Sequence, residues 1–450
     1  MTGPVTANSQ AVLPADARIG KPQTGAVSAG PVSGAPTGAA AGLAVVKTRT
    51  DLRDWVLDKG HISADLGEFI SRLADKLVHA GIPVYRMTSG IPILHPLIRA
   101  ESAIWRAGEG VSWRQFPMAL ANDKMYTNSP LRFVYEHGKT VHVPVTPQPK
   151  PGEFGIIADL REEGATDYVA FPLVYSDSSY KSLTLATKAP GGFTDAHIAL
   201  VESLLKPIAL VFEIHTQRRS AETLLGTYLG RSTAPRVLAG EIQRGEGRHM
   251  EAIIWFSDLR GFTNLSAEFS SADLVDVLDF YFESMTDPVE EHGGEVLKFI
   301  GDAVLAIFTF DNEAGARAAS EKALIAAHAA LSNLERYAET PHAATVDSLS
   351  VGISLHMGGV FYGNVGGRAR LDFTVIGEAV NVGSRINGLT RDLGHPILAS
   401  EDFIEYVDHP FTELGTYELK GVRQPQRVYA PTGPQLLKPE NCCQSVMSRP

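Results

Sequence analysis

The sequence predicts an α+β fold made of two mixed regions joined by a helix. Three observations predict it. From about Arg49 to Thr216, apolar residues at helical spacing alternate with short β-type runs. From about Gly247 to Tyr429 the order is strand, helix, hairpin, helix, strand, strand, helix. That order is βαββαβ-like, a ferredoxin-like split arrangement with its helices expected on one sheet face. Between the two regions, His197 to Leu225 carries apolar residues at helical spacing. The expected boundaries are 1–46 for a disordered Ala/Gly/Pro-rich tail, 49–216 for the first domain and 217–246 for a helical linker. The second domain is expected over 247–432 and a flexible tail over 433–450.

Composition bounds the function. At 450 residues, length alone suggests about three units. No run of about 18 uncharged apolar residues occurs, so no membrane span is expected. The N-terminus lacks a basic patch followed by an apolar core, which argues against a secretory signal. A formal charge of −11 leaves no basic footprint for nucleic acid. The two cysteines, Cys442 and Cys443, are adjacent in a polar tail, giving neither a disulfide framework nor a zinc site. A reducing, cytoplasmic setting is expected, and no cysteine-held metal or chromophore can lie between Met1 and Asn441.

Taken in order, residues 1–46 are too poor in large apolar side chains to offset the entropy of ordering. Leu66, Phe69, Ile70, Leu73 and Leu77 then mark an amphipathic helix. Val84 to Met87, Ala103 to Trp105, Val141 to Val143, Tyr168 to Leu173 and Ser182 to Thr187 read as strands. A long helix follows, capped by Thr194 or Asp195. Phe171-Pro172-Leu173, Leu183 to Thr187 and Gly191-Gly192-Phe193-Thr194 resemble the GAF family of small-ligand sensor domains, implying an unknown small-molecule ligand. His79, His95, His137 and His142 show no ligand-type spacing. Trp105, Trp113, Phe116, Tyr126 and Tyr135 read as core aromatics. The helix leaving this region contains Pro207, a candidate kink, and two copies could pair as a short parallel coiled coil. An irregular connection is expected from Gly226 to Gly247.

In the second region an apolar strand, Ala252 to Phe256, runs into Ser257-Asp258-Leu259-Arg260-Gly261. Val296 to Ile300 and Ala303 to Phe308 flank Gly301-Asp302 as a hairpin does. Asp258 and Asp302 are thereby expected together at the mouth of a sheet, a donor pair suited to a hard divalent cation such as Mg²⁺. Val351 to His356 and Val360 to Val365 read as two strands with Gly358-Gly359 as a turn. Asn381 and Arg385 stand four apart on one face of a helix.

Three blocks carry a resemblance: Phe256 to Thr263, His292 to Phe308, and Asp372 to Arg385. Together they look like the catalytic domain of class III nucleotidyl cyclases, over about Gly247 to Tyr429. The resemblance implies attack of the ATP 3′-hydroxyl on the α-phosphorus, with release of pyrophosphate. It implies two Mg²⁺ (or Mn²⁺) ions per site held by Asp258, Asp302 and the backbone carbonyl of Leu259. Asn381 would hold the ribose and Arg385 the α-phosphoryl charge, while Lys420 would approach the triphosphate. Lys298 and Thr374 take the base-reading positions, where a donor beside a hydroxyl acceptor suits adenine. The family draws its aspartates from one subunit and the remaining groups from the other. One chain carries both halves here, implying a homodimer with active sites at the subunit interface. A guanylate cyclase, and a non-catalytic nucleotide or small-ligand sensor acting through partner binding, stand as alternatives.

Overall fold

The structure, a computed structural model, describes residues 18–19, 48–118, 128–346, 348–368 and 370–432. Two compact units meet in sequence between Leu224 and Leu225. In the first unit the strands are β1 (Arg18–Ile19), β2 (Arg86–Pro92), β3 (Ile98–Arg106), β4 (Gly110–Pro117), β5 (Val141–Pro144), β6 (Asp167–Val174) and β7 (Tyr180–Thr187). They form one antiparallel sheet in the order β1-β5-β6-β7-β2-β3-β4. The expected disordered tail holds one ordered pairing, Arg18 with His142 and Ile19 with Val141. The rest of that tail, Tyr126 and residues 433–450 lie outside the described residues.

Helix α1 (Leu66–His79) begins where Asp65 accepts from the Glu68 amide at 2.8 Å, while Glu68 accepts from the Ala64 amide at 2.6 Å. The unit also contains α2 (Pro130–His137), α3 (Gly155–Glu162) and α4 (Asp195–Leu229). Phe69 and Leu73 of α1 share a core with Leu204 and Phe212 of α4 and with Val169 and Phe171 of β6. Tyr168 and Ala170 of the same strand join Phe133, Val134, Ile157 and Leu160 in a second core. Alternation along β6 thus buries both sheet faces. Thr194 is the cap of α4, accepting from the His197 amide at 3.2 Å. The helix runs into the expected irregular stretch, through Gly226 to Leu229, and a short α5 (Thr233–Leu238) follows.

The second unit contains β8 (Gly247–Leu259), α6 (Phe262–Glu268), α7 (Ser271–Glu291), β9 (Glu295–Ile300), β10 (Ala303–Phe310) and α8 (Glu313–Glu335). It continues with β11 (Val351–Gly366), β12 (Leu371–Ile376), α9 (Glu378–Asp392), β13 (Ile397–Ser400), α10 (Glu401–Ile404), β14 (Phe411–Tyr417) and β15 (Gln426–Pro431). The sheet order is β14-β15-β13-β11-β8-β10-β9, with β12 also on β11. Its β11-β8-β10-β9 portion is antiparallel throughout and has the expected split βαββαβ connectivity.

Two details differ from expectation. Gly358-Gly359 is no turn: β11 continues through it, pairing with Ala252 and Glu251. Glycine is required there by packing, since a Cβ on Gly358 would lie 2.8 Å from the Ala379 Cβ. The helices also cover both sheet faces. Val277, Tyr281 and Met285 of α7 and Ala327 of α8 pack with Ile253 and Trp255. Helix α9 takes the face of Ile254, where a Cβ on Gly383 would come within 3.0 Å of the Ile254 side chain.

Candidate active site

Asp258 is the penultimate residue of β8, between Ala303 of β10 and Gly352 of β11. Asp302 occupies the turn immediately before Ala303, and Gly301 beside it takes φ 65°, which favours glycine. The hairpin therefore delivers the second aspartate next to the first. Both carboxyls are half-buried and lie above their ordinary range. Burial is the main cause for each, and the charge of Asp302 adds to it at Asp258. Neither makes a hydrogen bond or ion pair with another described residue. Beneath them, the Tyr281 phenol lies 3.1 Å from Ser257 Oγ, and burial raises it beyond its usual value, so it stays neutral.

Leu259 buries its side chain in the core, leaving its main chain for any ligand contact. The chain then turns: Arg260 donates from Nη2 to the carbonyls of Thr390 at 2.8 Å and His395 at 3.0 Å. No cluster of three or more His, Cys, Asp or Glu occurs among the described residues. A cation here would rest on two carboxylates and backbone oxygen. The unpartnered, mutually repelling pair fits a hard cation on that ground.

Lys298 of β9 forms an ion pair with Asp372 of β12. Thr374 lies two residues further on the same strand, hence on the same face. Its Oγ1 is buried with no hydrogen-bond partner among the described residues. The structure thus brings Lys298 to the strand of Thr374 and adds the Asp372 carboxylate, which the sequence pattern does not single out.

Residues 246–432 match the family model for the adenylate and guanylate cyclase catalytic domain. An adenylate cyclase of Anabaena cylindrica is 36% identical over 173 residues, 38% of this chain and 33% of that protein. Adenylate cyclase 1 of Rhizobium meliloti is 27% identical over 286 residues, 62% of this chain and 43% of that protein. The C-terminal segment is a class III adenylate/guanylate cyclase catalytic domain. The chain spans well under half the length of these relatives. The crystal structure of the adenylyl cyclase CyaB from P. aeruginosa aligns at 26% identity with a TM-score of 0.39, covering 42% of this chain and 98% of that one.

In the cyclase domain, Asn381 and Arg385 lie exposed on α9, one turn apart, with no hydrogen bond or ion pair among the described residues. The opposite face of α9 buries Val382, Ile386 and Asn387. Asn387 donates from Nδ2 to the carbonyls of Phe256 at 3.0 Å and Gly352 at 2.7 Å. It fastens the helix bearing Asn381 and Arg385 to the strand that carries Asp258 and to its neighbour β11. Its place two residues after Arg385 in sequence was the available signal. Lys420 is exposed in the turn closed by the Val422 amide to the Leu419 carbonyl at 3.0 Å. No hydrogen bond or ion pair among the described residues joins Asp258 or Asp302 to Lys298, Asn381, Arg385 or Lys420. No helix among the described residues is long and apolar enough to cross a membrane.

Proposed function

We propose that this chain is an adenylate cyclase, converting ATP to 3′,5′-cyclic AMP and pyrophosphate. One observation carries the choice of ATP: Lys298 is ion-paired to Asp372, two residues along the same strand from Thr374, whose buried hydroxyl has no partner among the described residues. Adenine offers a ring acceptor and an amino donor, and that pair answers both. The two relatives from Anabaena cylindrica and Rhizobium meliloti, both adenylate cyclases, support the same choice.

The chemistry is an in-line displacement: a bond forms between the 3′-oxygen and the α-phosphorus as the bond to pyrophosphate breaks. Such a reaction asks for alignment and charge neutralisation more than for covalent help. Asp258, Asp302 and the Leu259 carbonyl would hold two Mg²⁺ or Mn²⁺ ions, which when bound lower the charge on the reacting oxygens. Arg385 offers a planar fork for two α-phosphoryl oxygens. Asn381 orients the ribose, Lys298 and Thr374 hold the base, and Lys420 meets the triphosphate.

The aspartates and the remaining groups act across a homodimer interface, one set from each subunit. The lack of any hydrogen bond or ion pair between the two sets among the described residues of one chain supports this. The first unit, a sheet with helices on both faces, acts as a GAF-like sensor whose small-molecule ligand regulates turnover through α4.

A guanylate cyclase is the second reading, favoured by one feature: the Asp372 carboxylate could accept from the ring N–H of guanine. Incubation with ATP and GTP together, beside the Lys298→Glu/Thr374→Cys variant, decides. Cyclic AMP from the parent and a loss of ATP preference in the variant are expected. Cyclic GMP as the main parental product would overturn the reading. No cyclic product from a folded dimer, even with residues 1–225 removed, would favour a non-catalytic sensor.

A further inference from the structure

We propose that Asp372 is a positioning residue for base recognition, holding the Lys298 ammonium at the distance from Thr374 that a purine edge requires. The proposal rests on the adenylate cyclase reading above. Lys298 stands on β9 and Thr374 on β12, and no hydrogen-bonded ladder joins these strands: β9 pairs with β10, and β12 with β11. The Lys298–Asp372 ion pair is a direct tie between them. A lysine side chain is a flexible four-carbon stem ending in three donors. One N–H given to Asp372 fixes the stem and leaves two others for a ligand. Asp372 and Thr374 share one face of β12, so the residue that anchors the ammonium and the hydroxyl that has no partner among the described residues lie on the same side of the strand.

Stability does not explain the pair. Asp372 is 55% exposed and Lys298 28%, and ion pairs so open to water add little to folding. A buried hydroxyl with no partner carries a desolvation cost that a ligand donor would remove. Both features therefore point to a bound purine rather than to the resting fold.

The test uses the full chain with Asp372→Asn, Asp372→Glu, Lys298→Ala and the Asp372→Asn/Lys298→Ala double variant. Steady-state cyclisation and calorimetric binding of ATP are measured on each. The expected result for Asp372→Asn is a rise of about tenfold in KM and Kd for ATP, the loss of one charge-assisted contact. Its kcat and melting temperature stay near the parent's. Asp372→Glu recovers most of the affinity, and Asp372→Asn adds nothing in the Lys298→Ala background, because both act through one ammonium. Unchanged KM and Kd, additive effects in the double variant, or a change confined to GTP would overturn the proposal. A parent that binds ATP without cyclising it defeats the adenylate cyclase reading instead. The Kd comparison then still decides for or against Asp372.

Discussion

The two sheets treat their carboxylates in opposite ways. In the first unit the buried acids are all answered. Glu101 accepts from Gln115 at 2.8 Å and from Arg219 at 2.9 Å. Asp167 meets His142 at 2.8 Å and the Phe193 amide at 2.9 Å, and Glu213 takes the Ser176 amide at 2.9 Å. In the second unit Asp258 and Asp302 lie together at the end of a sheet, and neither they nor Thr374 Oγ1 have a partner among the described residues. A satisfied acid serves the fold, whereas two unanswered carboxylates brought together at the end of a sheet form a candidate ligand site.

The largest effect should come from the unanswered pair. Asp258→Ala or Asp302→Ala should lower cyclase turnover by at least about a hundredfold, as loss of a metal ligand does. The fold should not suffer. A raised carboxyl favours the protonated form in the folded state, so its stabilising contribution is present below the usual aspartate range. That contribution is lost as pH rises through the raised value. At neutral pH without metal, Asp258→Asn should therefore melt no lower than the parent, and added Mg²⁺ should raise the melting temperature of the parent alone. Both can be read in one thermal-shift series.

The answered acids should behave conversely. Arg219→Ala leaves Glu101 buried without its cation and should cost about 1–3 kcal/mol in denaturant unfolding. Glu101→Gln should cost less, because Arg219 is 47% exposed and can turn to water. Equal losses would blur the contrast. Next comes the wall behind Asp258: a Cβ on Gly352 would lie 2.0 Å from Thr390 Oγ1. Gly352→Ala should destabilise by about 1–3 kcal/mol through overpacking, and turnover should fall with it as the strand beside Asp258 shifts.

The smallest effect is a matter of pH. His356 is buried against Ser400 Oγ at 2.8 Å, and burial depresses its pKa to about 4. The neutral ring belongs to the folded state, so its stabilising contribution is complete above the ordinary histidine range. It declines as pH falls toward 4. His356→Gln should flatten that part of the stability–pH curve.

How much of this could be read from the sequence depended on distance along the chain. The Gly301-Asp302 hairpin was legible because a positive-φ glycine between β-type runs is a local signal. Strand β4 was missed because it is an edge strand, alternating between exposed and half-buried positions. Gly358-Gly359 looked like a turn because its cause, the approach of Ala379, lies on a later helix. The placement of α9 on the second sheet face likewise depends on small residues whose neighbours are remote. Asp372 was invisible as a partner of Lys298, 74 residues away. The roles of Asn381 and Arg385 came from resemblance, and their exposed positions on α9 add no bond that would have named them.

Strand β11 has a consequence for how the protein is made. It pairs with β8 from Gly247 to Leu259, and with β12 and β13 besides. Its residues emerge from the ribosome about a hundred positions after those of β8, so this central pairing is remote and slow to form. Until Val351 onward has been synthesised, the apolar run Ala252 to Phe256 has one bare flank, an open template for strands of other chains. Growing chains halted in that interval should be the ones that aggregate and draw chaperones, and synthesis rate there should govern the yield of soluble protein.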